Sequence, residues 1–137
     1  MKKDFSYLGK QVNIYKLGSE DYKPIKGSLD LCFTSPPYFD TEKYSDEETQ
    51  SYIKFPSNDE WVNGFLYKTI KNCYRGLKGN KYMLINIANT SKYKFIEEET
   101  IRISKELGFK QEKTIELTLS SVMGTGYKYE PIFVFKK

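Results

Sequence analysis

The sequence contains no histidine among its 137 residues. This absence excludes a histidine-containing zinc site, a Ser-His-Asp triad and a histidine general base. Apolar runs stay well short of the ~20 residues that a membrane-spanning helix needs, and the first residues lack the apolar core of a secretion signal. The two cysteines, Cys32 and Cys73, are far apart and lie in apolar stretches, so we expect two buried thiols in a cytoplasmic protein.

Hydrophobic residues make up 39% of the chain and charged residues 29%, which suits a packed core and one domain over residues 1–137. The formal net charge of +4 is too mild to identify a nucleic-acid-binding protein. Charge is unevenly distributed, because residues 40–60 are acidic whereas residues 61–81 carry five bases and no acid. The basic segment is either a phosphate-facing surface or an ordinary solvated helix face. The acidic segment has no calcium-loop spacing, and we expect it to bind no metal.

The hydrophobic pattern predicts an α/β fold. Alternation predicts a strand over residues 11–17, and a short apolar run predicts a buried strand over residues 29–34. Residues 38–57 are predicted to form a long loop. Helices and strands then alternate: a helix from the capping box at Ser57–Glu60 to the glycines at 76 and 79, a strand within residues 81–89, a helix over residues 95–107, and strands over residues 113–122 and 131–135. This order predicts mostly parallel strands that end in an antiparallel hairpin.

One segment stands out because a polar residue, two prolines and an aromatic residue directly follow a buried strand. Ser35, Pro36, Pro37 and Tyr38, called the Ser-Pro-Pro-Tyr motif below, come straight after the strand over residues 29–34. The prolines restrict the backbone, and ligands in open α/β sheets bind beyond the carboxyl ends of strands. The segment is therefore either a ligand site or a rigid proline turn over the core.

The motif suits an exocyclic amino group of a nucleobase. Ser35 Oγ and a carbonyl oxygen of Ser35 or Pro36 can accept hydrogen bonds from the two N–H groups of this amino group, and Tyr38 offers a flat face to a ring. Two such acceptors localise the nitrogen lone pair, so that a methyl sulfonium can be attacked without a strong base. This chemistry fits a chain without histidine, and it requires the target base to leave the helical stack.

The motif resembles the catalytic motif of S-adenosylmethionine-dependent DNA amino-methyltransferases. Serine in first place is typical of enzymes that methylate the amino nitrogen of cytosine, whereas Asp or Asn is typical of adenine enzymes. Residues 29–90 and the segment from Tyr129 to Phe135 are similar to bacterial and phage DNA methylases. The resemblance implies a partial Rossmann-like methyltransferase sheet, S-adenosylmethionine as cofactor and DNA as partner.

The same resemblance implies roles for individual residues. Ser35 and Pro36 would hold the target amino group, and Pro37 completes the motif. Tyr38 would stack on the base, and Phe39 would line the same pocket. Glu20 or Asp21 would lie near the adenine of the cofactor.

The chain departs from this family because it shows no glycine-rich loop between a strand and a helix, where the backbone approaches the cofactor. Gly124 and Gly126 lie between two predicted strands and mark a turn. We therefore expect the catalytic half of a methyltransferase, which is weakly active or inactive alone. It would be a fragment, a subunit of a split enzyme or a decayed relic. Unpaired sheet edges then predict a homodimer or a separate chain that carries the cofactor-binding half.

Two other functions stay open. The first is an amino-methyltransferase of RNA or of protein glutamine, although the motif of those enzymes usually begins with Asn. The second is a catalytically inactive nucleic-acid-binding or structural module with a methyltransferase-like fold.

Overall fold

The computed structural model describes residues 12–38, 48, 50–120 and 127–137. Its strands are β1 (Leu29–Thr34), β2 (Leu77–Asn86), β3 (Lys110–Ser120) and β4 (Tyr127–Lys136). Its α-helices are α1 (Ser51–Lys54), α2 (Asn58–Trp61), α3 (Tyr67–Gly76) and α4 (Ile96–Glu106). A π-helical segment, Val62–Leu66, joins α2 to α3. Within these residues, no helix is long and apolar enough to cross a membrane.

The four strands form one mixed sheet in the order β1-β2-β4-β3. β1 and β2 are parallel, with Thr34 opposite Ile85. β4 runs antiparallel to both of its neighbours, β2 and β3. β1, β2 and β3 therefore point in the same direction, and β4 points against them. This arrangement confirms the predicted α/β class, with mostly parallel strand directions and a C-terminal antiparallel hairpin.

The helices cover one face of the sheet. Met83 and Ile85 of β2 and Phe133 and Phe135 of β4 are at most 5% exposed and belong to one hydrophobic cluster. The helical residues in this cluster share complete or nearly complete burial; they are Trp61, Val62, Phe65, Leu66, Ile70, Ile96 and Ile103. Burial of these side chains is the main force that holds the helical layer on the sheet.

The opposite face of β1 is open to solvent. Leu31 and Phe33, which lie on that face, are 57% and 63% exposed. β1 pairs with β2 along one edge, and no strand among the described residues pairs with its other edge. Parallel strands in α/β folds are normally covered on both faces. The described part of the chain therefore leaves one apolar face and one edge of β1 uncovered.

Two local signals in the sequence act as predicted. Ser57 caps α2, because its Oγ accepts from the Glu60 amide and Glu60 Oε2 accepts from the Ser57 amide, both at 3.1 Å. Gly108 follows α4 with a φ of 110°, a conformation that other residues rarely adopt. Phe109 then packs edge to face against Tyr74 of α3, with ring centroids 4.9 Å apart.

The predicted strand over residues 11–17 is wrong, because residues 12–17 form no strand. Val12 and Ile14 are 48% and 69% exposed, so the alternating apolar side chains of this segment do not pack into the core, and a strand depends on such packing. The predicted loop over residues 38–57 contains α1, and β2 begins at Leu77, well before residue 81. The predicted turn at Gly124 and Gly126 lies outside the described residues.

The two cysteines meet between the sheet and α3. Cys32 and Cys73 are 41 positions apart, yet the Cys32 thiol lies 3.9 Å from the carbonyl oxygen of Cys73. Both thiols are free and half-buried. The contact with Cys32, together with burial, raises the pKa of the Cys73 thiol. This thiol is therefore a poor nucleophile.

Candidate active site

A cavity of about 320 Å³ lies at the carboxyl end of β1. The strand ends at Thr34 because the two prolines after Ser35 cannot continue the β-ladder. Ser35, Pro36 and Pro37 line the cavity, and so does Glu20 from the turn before β1. The fold thus brings the motif and one of the predicted cofactor-binding acids to the same cavity.

The π-helical segment supplies another wall of this cavity. Phe65 lines it, although the residue is only 5% exposed. A π turn accommodates one extra residue, and such turns are frequent at functional sites. Gly64 makes the local packing possible, because a Cβ at this position would lie 2.3 Å from the Phe55 ring. The π segment and its glycine therefore shape the side of the cavity that faces the helices.

The Ser-Pro-Pro-Tyr motif is tied to the neighbouring strands by side-chain hydrogen bonds. Ser35 Oγ donates to Asn86 Oδ1 at 3.2 Å, and Asn86 is the last residue of β2. The Tyr38 hydroxyl lies 3.1 Å from the same Asn86 oxygen and 2.9 Å from Glu130 Oε2 on β4. Asn86 Nδ2 donates to the carbonyl oxygen of Pro131 at 3.0 Å. These contacts hold both ends of the motif.

The turn that carries the two predicted acids is held by α3 and α1. Asn72 Nδ2 donates to the carbonyl oxygens of Ser19 and Glu20, at 3.0 and 3.1 Å. Lys54 Nζ donates to Glu20 Oε1 at 3.0 Å and to Asp21 Oδ2 at 2.7 Å. The hydrogen bond from Lys54 lowers the pKa of Asp21, and the bonds to Asp21 and Glu20 raise the pKa of Lys54. The turn is thus a fixed, negatively charged element beside the cavity.

The two adjacent acids differ in their surroundings. The Glu20 side chain is 3% exposed, whereas the Asp21 side chain is 56% exposed. Glu20 Oε2 is buried and has no hydrogen-bond partner among the described residues. Both acids and Lys54 also line a second cavity of about 930 Å³. A buried carboxylate oxygen without a partner is costly, and a donor group of a ligand would relieve that cost.

The other predicted site residues have mixed outcomes. Tyr38 is only 9% exposed, so little of the ring face that was predicted to stack on a base is open. Phe39 lies outside the described residues, as do residues 40–47 and 49 of the acidic segment. Lys78 and Lys81 lie on β2, where their ammonium groups are 2.9 and 3.9 Å from Asp30 Oδ1. The basic segment is therefore divided between α3 and β2, and it does not form a single helix face.

The sequence interpretation missed Asn86 and Glu130. Each lies in or beside a predicted strand, and neither belongs to a recognised motif. The one available signal is that a polar residue ends an otherwise apolar strand at Asn86. Because β1 and β2 are parallel, their carboxyl ends lie at the same edge of the sheet. Ser35, after β1, and Asn86, at the end of β2, therefore lie next to each other.

An α/β sheet with a Ser-Pro-Pro-Tyr motif at the carboxyl end of a parallel strand defines a Rossmann-like methyltransferase fold. A model of the DNA methylase family matches residues 29–137, which is most of the chain. The chain belongs to this family. Among curated protein sequences, none matches it closely.

Solved structures agree with this assignment of the fold. TTHA0409 from Thermus thermophilus, described as a DNA modification methylase, aligns with a TM-score of 0.62 and 14% identity over 88% of this chain and 50% of its own. The same protein complexed with S-adenosyl-L-methionine aligns with a TM-score of 0.58, 14% identity and coverage of 88% and 54%. A SAM-dependent methyltransferase from Methanosarcina mazei gives a TM-score of 0.52, 11% identity and coverage of 88% and 64%. The chain thus spans about half the length of the DNA modification methylase that it matches.

Proposed function

We propose that this chain is the catalytic region of a DNA amino-methyltransferase. It transfers a methyl group from S-adenosylmethionine to the exocyclic amino group of a flipped cytosine or adenine. The observation that carries the proposal is the Ser-Pro-Pro-Tyr motif lining a cavity at the carboxyl end of β1, in a chain of the DNA methylase family. Serine at the first position of the motif favours cytosine.

The motif residues act by holding the target amino group. Ser35 Oγ accepts a hydrogen bond from one N–H group, and the backbone carbonyl oxygen of Ser35 or Pro36 accepts a hydrogen bond from the other. These acceptors localise the lone pair of a nitrogen that is otherwise delocalised into the ring. The prolines limit backbone motion, so the acceptors are in place before the base arrives. Tyr38 fixes the end of the motif through its hydroxyl, which lies 3.1 Å from Asn86 Oδ1 and 2.9 Å from Glu130 Oε2, while its ring is only 9% exposed and offers a base little surface.

The residues beside the motif fit part of the cofactor. The unpartnered Glu20 Oε2 can accept a hydrogen bond from an amino group, and Asp21 and Lys54 line the adjoining cavity. When bound, S-adenosylmethionine would supply a methyl group on a positively charged sulfur. That sulfur would keep the C–S electron pair when the methyl passes to the amino nitrogen, and one amino proton would leave to water. The described residues include no glycine-rich loop between a strand and a helix. The remaining cofactor contacts would come from outside the described residues: from a further part of the same protein, from a second copy or from a separate chain.

The uncovered side of β1 supports a partner of this kind. Leu31 and Phe33 are exposed beside a strand edge that no described strand covers. Such an edge can accept another strand, and the apolar face beside it would be buried by the same partner.

The first experiment is a calorimetric titration of the purified chain with S-adenosylmethionine, with the molar mass measured on the same sample by light scattering. We expect micromolar binding if the cofactor site is complete in this chain or in its homodimer. Absence of binding would mean that the chain is a fragment, a subunit of a split enzyme or a decayed relic, and the missing half would then have to be supplied.

The second experiment measures methyl transfer to unmethylated double-stranded DNA, with the modified nucleosides identified by mass spectrometry. Formation of N4-methylcytosine is the expected result. Formation of N6-methyladenine would instead identify adenine as the target base. DNA binding without methyl transfer, even with a cofactor-binding half supplied, would replace the proposal with an inactive nucleic-acid-binding module.

A further inference from the structure

The orientation of the Asn86 side chain is determined by its surroundings. Its Nδ2 faces the carbonyl oxygen of Pro131 at 3.0 Å, and a carbonyl oxygen can only accept. Rotating the amide by 180° would bring two acceptor oxygens together. Asn86 is 7% exposed, so water cannot easily compensate for such a rotation. Asn86 Oδ1 must therefore face the Ser-Pro-Pro-Tyr motif as an acceptor.

This orientation determines where two hydroxyl protons go. The Tyr38 hydroxyl has one proton to donate, and it lies nearer to the Glu130 carboxylate, at 2.9 Å, than to Asn86 Oδ1, at 3.1 Å. A carboxylate is also the stronger acceptor. The proton of Tyr38 therefore goes to Glu130, and Asn86 Oδ1 is left to accept the proton of Ser35 at 3.2 Å.

We propose that Asn86 is a positioning residue that acts through Ser35, by drawing the Ser35 hydroxyl proton away from the cavity so that the oxygen presents its lone pairs to the target amino group. A hydroxyl without this acceptor would rotate freely. Its proton could then point at the N–H group of the target and repel it, so that the Ser35 oxygen could not accept the hydrogen bond. Glu130 supports this arrangement by keeping Tyr38 from competing for Asn86. The inference rests on the proposed function, because it deepens the role of Ser35 in methyl transfer.

The first test needs no catalysis. In the nuclear magnetic resonance spectrum of the full chain, the side-chain amide of Asn86 should exchange slowly with solvent, because it donates to Pro131. Ser35→Ala should shift this amide resonance, since Oδ1 loses its donor. The side-chain amide of Asn89, which accepts from the Glu97 amide through Oδ1 at 2.9 Å, is the matched control and should not shift. The inference is overturned if the side-chain amide of Asn86 exchanges rapidly with solvent, or if its resonance does not shift in Ser35→Ala.

The second test is a double-mutant cycle on methyl transfer by the full chain. We expect Asn86→Ala to lower kcat about tenfold with little change in the KM for S-adenosylmethionine, and to have no further effect in a Ser35→Ala background. Asn89→Ala is the control, whose effect should be the same in both backgrounds. An effect of Asn86→Ala that is equally large without the Ser35 hydroxyl means a merely structural role and overturns the inference.

Asn86→Asp protects the test against a folding defect of the alanine variant. It retains an oxygen facing Ser35, and in this buried position its other oxygen can carry a proton and still donate to the Pro131 carbonyl oxygen, so it should retain more transfer than Asn86→Ala at equal folded fraction. Equal loss in both variants contradicts the inference. If the wild-type chain gives no transfer even with a cofactor-binding half supplied, the proposed function fails and the inference fails with it. If transfer occurs and the effects of the two substitutions are additive, the inference alone is overturned.

Discussion

Two neighbouring carboxylates in the turn before β1 illustrate how the environment assigns roles to residues. Lys54 pairs with both Glu20 and Asp21, but Glu20 is buried and Asp21 is mostly exposed. Water screens the Asp21 pair strongly, so it contributes little to stability. Glu20 instead keeps one buried oxygen without a partner among the described residues, which makes it the better candidate for ligand binding.

The first prediction concerns the pH dependence of stability. The hydrogen bond from Lys54 lowers the pKa of Asp21 below its usual 3.8 in the folded state, so this pair stabilises the fold above that pH and the effect is lost as the pH falls through the lowered pKa. Asp21→Asn should therefore lower the free energy of unfolding by at most about 1 kcal/mol at pH 7. The difference should vanish in acid. Urea denaturation at a series of pH values measures it, and a constant difference would contradict the assignment.

The second prediction tests Ser35 itself. Ser35→Ala removes one of the two acceptors for the target amino group, and we expect methyl transfer to fall about 100-fold, as when one preorganised hydrogen-bonding group is lost elsewhere. Ser35 is exposed, but the buried Asn86 Oδ1 loses its donor, so the free energy of unfolding should fall by about 1–3 kcal/mol while the chain stays folded.

Ser28→Ala is the matched control for this experiment. Ser28 is an exposed serine whose Oγ donates to the Ile25 carbonyl oxygen at 2.7 Å, away from the cavity. This variant should retain full transfer. If Ser35→Ala also retains full transfer, Ser35 has no part in the reaction.

Among the elements, the strands and helices with strong hydrophobic patterns were predictable. β1 was predicted with the bounds that it has, because the run from Leu29 to Thr34 stops at two prolines. α4 and its glycine end were predicted within a residue. The strand over residues 11–17 was not, because alternation describes a side-chain pattern and a strand also needs a partner for its backbone groups. The π-helical segment has no signature in the sequence, and the close packing of Gly64 within it against the Phe55 ring appears only in the tertiary structure.

The third prediction tests this packing. Gly64→Ala should destabilise the fold by ~1–3 kcal/mol, because the new Cβ would lie 2.3 Å from the Phe55 ring. Phe55→Leu in the same chain should restore part of the loss. Gly79→Ala is the control, since no atom lies within 4 Å of a Cβ there. Chemical denaturation of the four proteins gives the comparison, and equal effects of the two glycine substitutions would contradict the packing.

At the scale of the whole molecule, the helices cover one face of the sheet, and the other face is exposed at β1. Leu31 and Phe33 present apolar side chains beside an edge of that strand with which no described strand pairs. Exposed apolar area next to an unpaired edge favours association. A dimeric molar mass in solution would identify a second copy as the partner.

The fourth prediction addresses this surface. Phe33→Lys should abolish association at the β1 face, because a charged side chain cannot be buried there without a partner charge. Ile25→Lys, at a position that is 81% exposed and lies outside the sheet, is the control and should leave association unchanged. Light scattering over a range of concentrations gives the molar mass. A wild-type chain that stays monomeric at high concentration excludes the homodimer.

The sequence by itself determined the class of fold, the motif at the end of β1 and the family resemblance, because these depend on local patterns and on residue types at short spacing. The tertiary structure alone decided that Glu20 and Ser35 line one cavity, that Cys32 meets Cys73, and that Asn86 and Glu130 hold the motif. These contacts join residues that are distant in the chain. They follow from strand order and register, which are set by burial of the whole hydrophobic face, and no short segment contains that information.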